Sequence, residues 1–449
     1  MYIAVISAQT GYNEVMDVNS IWPQSVQLPR FPILTSDRKT DVLVIGGGMA
    51  GILCTYLLSR SGIDCILVEA DRICGGITQN TTAKITSQHG LIYHQLLTRF
   101  GPEKARLYLL ANETALEQYG LLCRNIDCDF QAQDSFVYSL NNREKIEKEF
   151  TALKQIGYNA KLCSELPLPF PTAGAVQFQK QAQFHPLKFV SNITKNLPIF
   201  EHTKVLELAP GQAKINGGTI SAEKIIIATH FPMLNKHGSY FLKLYQHRSY
   251  VLALQNAPEL EGMYVDDAKT GLSFRRHQNL LLLGGGGHRT GKHGGSWNEL
   301  EEFASTYFPK AQITARWAAQ DCMTLDAIPY IGQYSKRTPG LYVAAGFNKW
   351  GMTSSMAAAS LLTDLIQGKK NSYSELFSPS RTILRPQLAI NAAESTLNLL
   401  TPTTPRCPHM GCALKYNPAE HSWDCPCHGS RFTAEGKLLD NPATEDKPM

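Results

Sequence analysis

The stretch Asp41-Val42-Leu43-Val44-Ile45-Gly46-Gly47-Gly48-Met49-Ala50-Gly51 decides how this chain is read. Residues 41–45 are a short apolar run of the kind that forms a buried parallel strand. The run passes at once into G-x-G-x-x-G (Gly46, Gly48, Gly51), and a helical pattern follows through Leu53, Leu57 and Leu58 to Ser61-Gly62. A second strand, Cys65-Ile66-Leu67-Val68-Glu69, ends on an acid eighteen residues beyond Gly51. Each part has a physical task. The glycines permit a tight turn and close approach of a pyrophosphate. The helix N-terminus, at Met49 and Ala50, meets the phosphate charge, and Glu69, followed by Ala70, accepts hydrogen bonds from a ribose. Alone, G-x-G-x-x-G is weak evidence; inside strand–turn–helix–strand with a correctly spaced acid, it predicts a dinucleotide site.

Further along, Lys224-Ile225-Ile226-Ile227-Ala228-Thr229 is a strand ending in small residues. Gly340 to Gly346 is another, followed by Gly351-Met352-Thr353 and a helix through Leu362 and Ile366. One nucleotide domain scattered along the chain, with other material inserted, is the layout of large flavoproteins, so FAD is the expected dinucleotide. The late glycine turn would approach the isoalloxazine or ribityl region. A rival fingerprint, Leu280-Leu281-Leu282-Leu283-Gly284-Gly285-Gly286-Gly287-His288-Arg289-Thr290-Gly291, would make an NAD(P)H site, but Arg289 occupies the third glycine position. The following Lys-His-Gly-Gly-Ser-Trp cannot continue as a helix, so this reads as a strand leading into a loop.

The chain resembles the D-amino-acid oxidase and glycine oxidase superfamily of FAD-dependent amine oxidoreductases over roughly residues 40–370. The resemblance rests on the glycine turn with Glu69, on Trp317-Ala318-Ala319 through Asp326, Pro329 and Gly332, and on the Gly346–Thr353 turn. More narrowly, residues 75–96 (GGITQNTTAKITSQHGLIYHQL) resemble the bacterial subgroup that carries a C-terminal Rieske domain. The resemblance implies an α/β fold with an α+β insert. Residues 41–95, 185–235 and 320–370 would form a Rossmann-like FAD-binding domain. Residues 96–184 and 236–319 would form an interleaved, β-rich substrate domain, and a small all-β cluster module would close the chain.

The tail offers two boxes, Cys407-Pro408-His409-Met410-Gly411-Cys412 and Cys425-Pro426-Cys427-His428-Gly429-Ser430, twelve residues apart. Two Cys and two His could hold a structural zinc. The spacing C-x-H, fifteen residues, C-x-x-H departs from common zinc fingers and matches the Rieske [2Fe–2S] arrangement, in which two histidines replace two cysteines on one iron. By that resemblance the ligands are Cys407, His409, Cys425 and His428, and Ser430 donates a hydrogen bond to a cluster sulfide. The further cysteines, Cys412 and Cys427, join the two loops by a disulfide, a pair for which zinc has no use. Two departures stand out. The tyrosine of high-potential members is replaced by Phe432, and loss of its hydroxyl lowers the expected potential. Residues 381–400 read as helical or irregular where base-sheet strands are expected. The reading is therefore a linker over 371–404 and a reduced module over 405–449, including the Asn441-Pro442-Ala443 loop. So small a unit can scarcely bury its own core and must lean on the flavin domain.

Length and composition agree with this layout. The 449 residues exceed one compact core, and 43% hydrophobic with 18% charged residues describe an ordinary globular protein. A net charge of +5 without a Lys/Arg stripe argues against nucleic acid as a partner. No apolar run is long enough for a membrane span, and the opening residues lack the basic region of a signal peptide. Residues 1–40 read as an irregular segment, with Pro23, Pro29 and Pro32 discouraging helix. The seven scattered cysteines read as buried, reduced thiols of a cytoplasmic protein.

The paired cofactors suggest the chemistry. Flavin takes two electrons from a C–H bond beside nitrogen or oxygen, whereas a Rieske centre carries one at a time. A dehydrogenase delivering electrons to an external one-electron carrier is the leading expectation. The alternatives are an oxygen-using amine oxidase with a vestigial cluster domain and a non-catalytic redox sensor. The resemblance also implies an arginine clamp for a substrate carboxylate, but Asp321 falls at about that place. Lys349 falls where glycine oxidases carry a second arginine and can partly compensate. A cationic amine is thus the expected substrate. Lys84, His89 and Tyr93 are candidates to line the cavity, and Arg275 and Arg276, alternating on a strand, can send only one side chain inward.

Overall fold

The computed structural model describes residues 19–234, 237–268, 271–402 and 405–447. Its first sheet is built around Arg38–Ile45, which runs parallel to Gly218–Ile227 on one side and to Cys65–Val68 on the other. Leu341–Ala345 extends it in parallel, and Tyr330–Gln333 closes that edge in antiparallel. Every residue of Cys65–Val68 is buried, as a parallel strand covered on both faces requires. Helices Met49–Arg60 and Gly351–Ile366, one from each end of the flavin half of the chain, pack together against this sheet. Close packing at the first turn selects glycine: a Cβ on Gly51 would lie 1.9 Å from the Gly46 carbonyl oxygen.

The second sheet has nine strands. Its spine runs from Gln312–Thr324 through Leu244–Gln255, Leu280–Arg289, Ser273–His277 and Met263–Asp266 to Gln131–Ser139, Gly174–Gln183 and Lys84–Ile85. The glycine-rich run 280–291 is accordingly a strand ending in a turn. Two expected boundaries need correction. Gln312–Thr324 pairs with Leu244–Gln255 along its length (Thr324 opposite Leu244, Gln312 opposite Gln255), with a register shift only at Ala253/Leu254, so a division at 319/320 would cut through a continuous run of pairs. Lys84–Ile85 pairs with Gln183 and Ala182 and so belongs to this sheet, although it lies within 41–95. In the N-terminal segment, residues 1–18 lie outside the described residues, and the remainder contains a single short helix, Trp22–Ser25, with a proline in its first turn where its missing N–H costs nothing.

Residues 386–400 form a helix, and the tail then makes a four-stranded antiparallel meander, Lys415–Asn417, Ser422–Asp424, Arg431–Thr433 and Leu438–Asp440. Among the described residues before the first Cys/His box there is no strand of this sheet. Its buried core is little more than Cys407, Cys412, Leu414, Cys425, Cys427, Phe432 and Ala443. A unit of this size needs covalent or external support.

That support is polar and specific. Arg431 reaches Asp424 at 3.0 Å, Asp440 at 3.1 Å and Glu420 at 2.9 Å. Glu420 in turn receives both arms of Arg248, which projects from the second sheet. Burial would raise the Glu420 carboxyl, but Arg248 and Arg431 outweigh it and hold the group down at about 2. Its pairing therefore contributes stability above the ordinary carboxylate range, and that contribution is lost as pH falls towards 2. Arg248→Ala would leave a buried, half-paired carboxylate at a cost of about 3–5 kcal/mol. The expected outcome is a protein that keeps its flavin absorbance while iron content and the cluster's EPR signal fall; unchanged iron would show that the pair does not hold the module.

Candidate functional site

The glycine turn has the geometry its sequence implies. Glu69, at the end of the second strand, accepts the Gly47 N–H at 2.6 Å and the Asp71 N–H at 3.0 Å, and so fixes the turn as well as offering lone pairs to a ribose. Burial raises its pKa, with the backbone donors of Asp71, Gly47 and Ala70 opposing. The Met49 N–H at the helix start meets Thr78 Oγ at 3.1 Å.

A cavity of about 930 Å³ opens from Gly48, Met49 and Ala50 and runs between the two sheets to Gly351 and Met352. Its outline suits a long dinucleotide lying over the glycine turn with its ring end between the sheets. Four of the residues expected to hold the cofactor are placed otherwise. Thr229 turns its hydroxyl to the Phe231 carbonyl at 2.9 Å, leaving its neighbours Ala228 and His230 to line the cavity. Thr353 is buried and bonded to the Thr86 carbonyl at 3.0 Å, and Gly346 packs on Thr324. Ala70 gives its backbone N–H to Glu69.

The candidate catalytic residues divide in the same way. Asp321, Lys349 and Lys84 line the cavity. Burial raises the Asp321 pKa against the pull of Lys349, His230 and Arg248, and burial lowers that of Lys349, whose ammonium donates to Ser249 Oγ at 3.1 Å. Burial, with help from Arg275, brings Lys84 down to about 7. Arg275 itself points inward, as strand alternation allows for one of the pair, but not into the cavity. Its guanidinium meets the carbonyls of Thr82, Ala83 (2.8 Å) and Phe184 (3.2 Å) and lies over Trp22, while Arg276 reaches the Pro258 carbonyl. Arg275 is a clamp between segments, because the carbonyls of Thr82, Ala83, Phe184 and Arg276 engage its fork of donors. Tyr93 is also corrected: it is a core residue stacked on Phe178, with its hydroxyl on the Ser87 carbonyl. His89 does reach the wall, stacked on Trp350 with its nitrogens bonded to Tyr108 and to Thr86 and Thr353; burial keeps it neutral, near 3.

Sequence reasoning missed His230, Asn348 and Trp350. Asn348 and Lys349 both take left-handed φ angles, and Asn348 ties the turn by accepting the Thr324 N–H at 2.8 Å and donating to the Gly346 carbonyl at 2.7 Å. An asparagine inside a glycine-rich segment was the available signal.

At the other site, Cys407, Cys425 and His428 are 2%, 0% and 1% exposed. The rings of His409 and His428 stand 5.0 Å apart, near perpendicular. The Cys407 thiol is drawn down to about 7, first by its bond to Cys425, with Ser430 and backbone donors assisting against burial. Cys412 and Cys427 form the expected disulfide across the two loops. Neither ring nitrogen of His428, though buried, makes a well-formed hydrogen bond, an arrangement costly without a ligand to satisfy it. Two buried thiols with one buried and one half-buried imidazole fit a [2Fe–2S] cluster. Ser430 Oγ accepts the Ala443 N–H at 3.0 Å, which leaves its proton for a sulfur.

Comparison with known proteins matches both parts of the chain to families. Residues 41–365 match the family described as FAD dependent oxidoreductase, and residues 385–448 match the Rieske [2Fe-2S] domain. The chain belongs to the FAD-dependent oxidoreductase family of D-amino-acid oxidase type and carries a C-terminal Rieske domain. It is 33% identical, over 95% of its length and 96% of the relative, to YhfW of Bacillus subtilis (strain 168), whose name describes a Rieske 2Fe-2S iron-sulfur protein. It is 21% identical to gamma-glutamylputrescine oxidoreductase of Escherichia coli (strain K12), over 82% of this chain and 94% of that one. Glycine oxidase from Geobacillus kaustophilus shares the fold, with a TM-score of 0.65 at 20% identity, over 77% of this chain and all of that one. FAD and a [2Fe–2S] cluster are thus its cofactors. No helix among the described residues is long and apolar enough to cross a membrane.

Phe432 is fully buried in the cluster that also holds Cys407, Cys412, Cys425 and Cys427. Phe432→Tyr is expected to raise the cluster's midpoint in a redox titration, and a wild-type midpoint already near the top of the Rieske range would contradict this account.

Proposed function

We propose that this protein is a dehydrogenase that oxidises an amine or amino-acid-like substrate at the flavin and passes the electrons singly, by way of the Rieske centre, to an external carrier. Flavin supplies two-electron oxidation of a C–H bond beside nitrogen, and the cluster supplies one-electron delivery. The observation that carries this reading is a shared wall: Ala228 and His230 line the flavin cavity, and the next residue, Phe231, packs against both histidines of the Cys/His boxes.

Asp321 supports an amine as substrate. It is a buried acid of the cavity wall beside Lys349 of the late turn, where an ammonium would replace the solvation it has lost. Three arginines in and around the wall are already engaged: Arg248 with Glu420, Arg275 with backbone carbonyls, and Arg289 with Asn391 and the Pro426 and Cys427 carbonyls. Lys349, beside Asp321, would receive any substrate carboxylate. The name of the gamma-glutamylputrescine relative, which describes a substrate built on an amine, points the same way. Lys84, neutral above about pH 7, can take a proton from the substrate ammonium, as oxidation of an amine requires.

An anaerobic screen of amines and amino acids, following flavin bleaching together with the Rieske EPR signal, tests the proposal. The expected result is bleaching by an amine followed by the cluster signal. Bleaching without that signal, with rapid oxygen consumption in air, would favour the oxidase alternative. Two variants refine it. Asp321→Asn should raise KM for the active amine far more than it lowers kcat. The rate of flavin reduction should rise with pH through about 7, because the lowered Lys84 pKa makes the free amine available above that point, and Lys84→Met should remove that rise.

A further inference from the structure

The two cluster histidines are not equivalent. His428 is 1% exposed and faces the flavin domain, with its ring centroid 6.3 Å from that of Phe231 and 6.3 Å from that of Phe241. His409 also meets Phe231 at 6.3 Å, but it is only half-buried, between exposed Pro408 and Met410, the latter 38% exposed. A Rieske centre whose histidines both faced solvent could exchange electrons only with outside partners. Here one edge is sealed inside the chain.

Phe231 is the packed material between the two sites. It is fully buried, and it follows directly on His230 and Ala228 in the cavity wall. The cluster module holds this segment itself: Asn441 donates to the Thr229 carbonyl at 2.6 Å and to the Phe231 carbonyl at 3.1 Å. Gln246 tightens the same seam by donating to the Asn441 carbonyl at 2.7 Å, and a Cβ on Gly429 would strike the Gln246 side chain at 2.5 Å. The rate of electron exchange falls steeply with the gap between donor and acceptor, and a close-packed ring fills that gap where a cavity would widen it.

We propose that Phe231 is the inward contact through which the cluster receives electrons, by way of His428, and that the half-exposed edge at His409 and Met410 is the outlet. This rests on the reading above that electrons pass from flavin to cluster. The balance is simple. Each substrate oxidation leaves two electrons on the flavin, the cluster holds one, and so two molecules of a one-electron acceptor are reduced in turn at the outlet, while the proton released by the reoxidised flavin goes to solvent.

The test separates the two edges without using a substrate. In anaerobic holoprotein the flavin is photoreduced, and the growth of the cluster EPR signal gives the inward rate. Reoxidation of the dithionite-reduced cluster by ferricyanide gives the outward rate, and iron content with total EPR intensity normalises both. Phe231→Ala should slow the inward rate severalfold and leave the outward rate and the EPR line shape unchanged. Phe231→Leu serves the same purpose if the alanine variant loses cluster. Met410→Trp should slow only the outward rate. Equal inward rates in wild type and both Phe231 variants, or equal slowing of both rates, would overturn the assignment. A wild-type cluster that stays oxidised after photoreduction would instead sink the function reading itself.

Discussion

Arg248 and Glu420 meet across a seam between two units drawn from distant parts of the chain, and much of the molecule's arrangement follows from that ion pair and its neighbours. The tail module has too few apolar residues to stand alone, and what it lacks in core it replaces with a closed polar network. Such pairs are weak evidence for stability when compared with an apolar replacement, but they specify one geometry well, since a misdocked arrangement would leave a buried charge unpaired. The network fixes the module in one orientation, with the Cys425 loop turned to the flavin domain and the Cys407 loop towards solvent. Asn441 and Gln246 extend the same seam to the wall of the flavin cavity.

The distribution of charge within the cavity follows a similar logic. A large cavity with several cations in and beside its wall would by default bind anions, yet the arginines there are spent on structure. Arg275 ties segments together and Arg289 anchors the second Cys/His box. The wall also carries Asp321, Asp266 and Asp267, the lysines Lys84, Lys145 and Lys349, and several histidines, and burial pulls Lys84 and Lys349 towards the neutral form. Such a wall is suited to holding an ammonium and managing its proton.

Much of this is legible in the sequence alone. The run 41–51 with Glu69, and the spacing of the two Cys/His boxes, are local patterns whose chemistry leaves little freedom, and the helix over 386–400 was visible as a missing base sheet. What the sequence concealed was long-range. Nothing local shows that Lys84–Ile85 joins the second sheet, because its partner lies about a hundred residues away. The role of Arg275 depends on three carbonyls from two other segments. Thr229 and Thr353 resemble cofactor-binding hydroxyls by position, yet each turns to satisfy a nearby carbonyl, as short polar side chains do. Phe231 and Met410 carry no motif at all, and their interest arises only from what the fold sets beside them.

The central claim is that one chain holds the two redox sites in a single fixed relation. The most direct measurement is the dipolar interaction between the flavin radical and the reduced cluster in half-reduced protein, read by pulsed EPR as relaxation enhancement. The account predicts one narrow distance that does not change with protein concentration. A broad distribution, or a distance that appears only at high concentration, would contradict it.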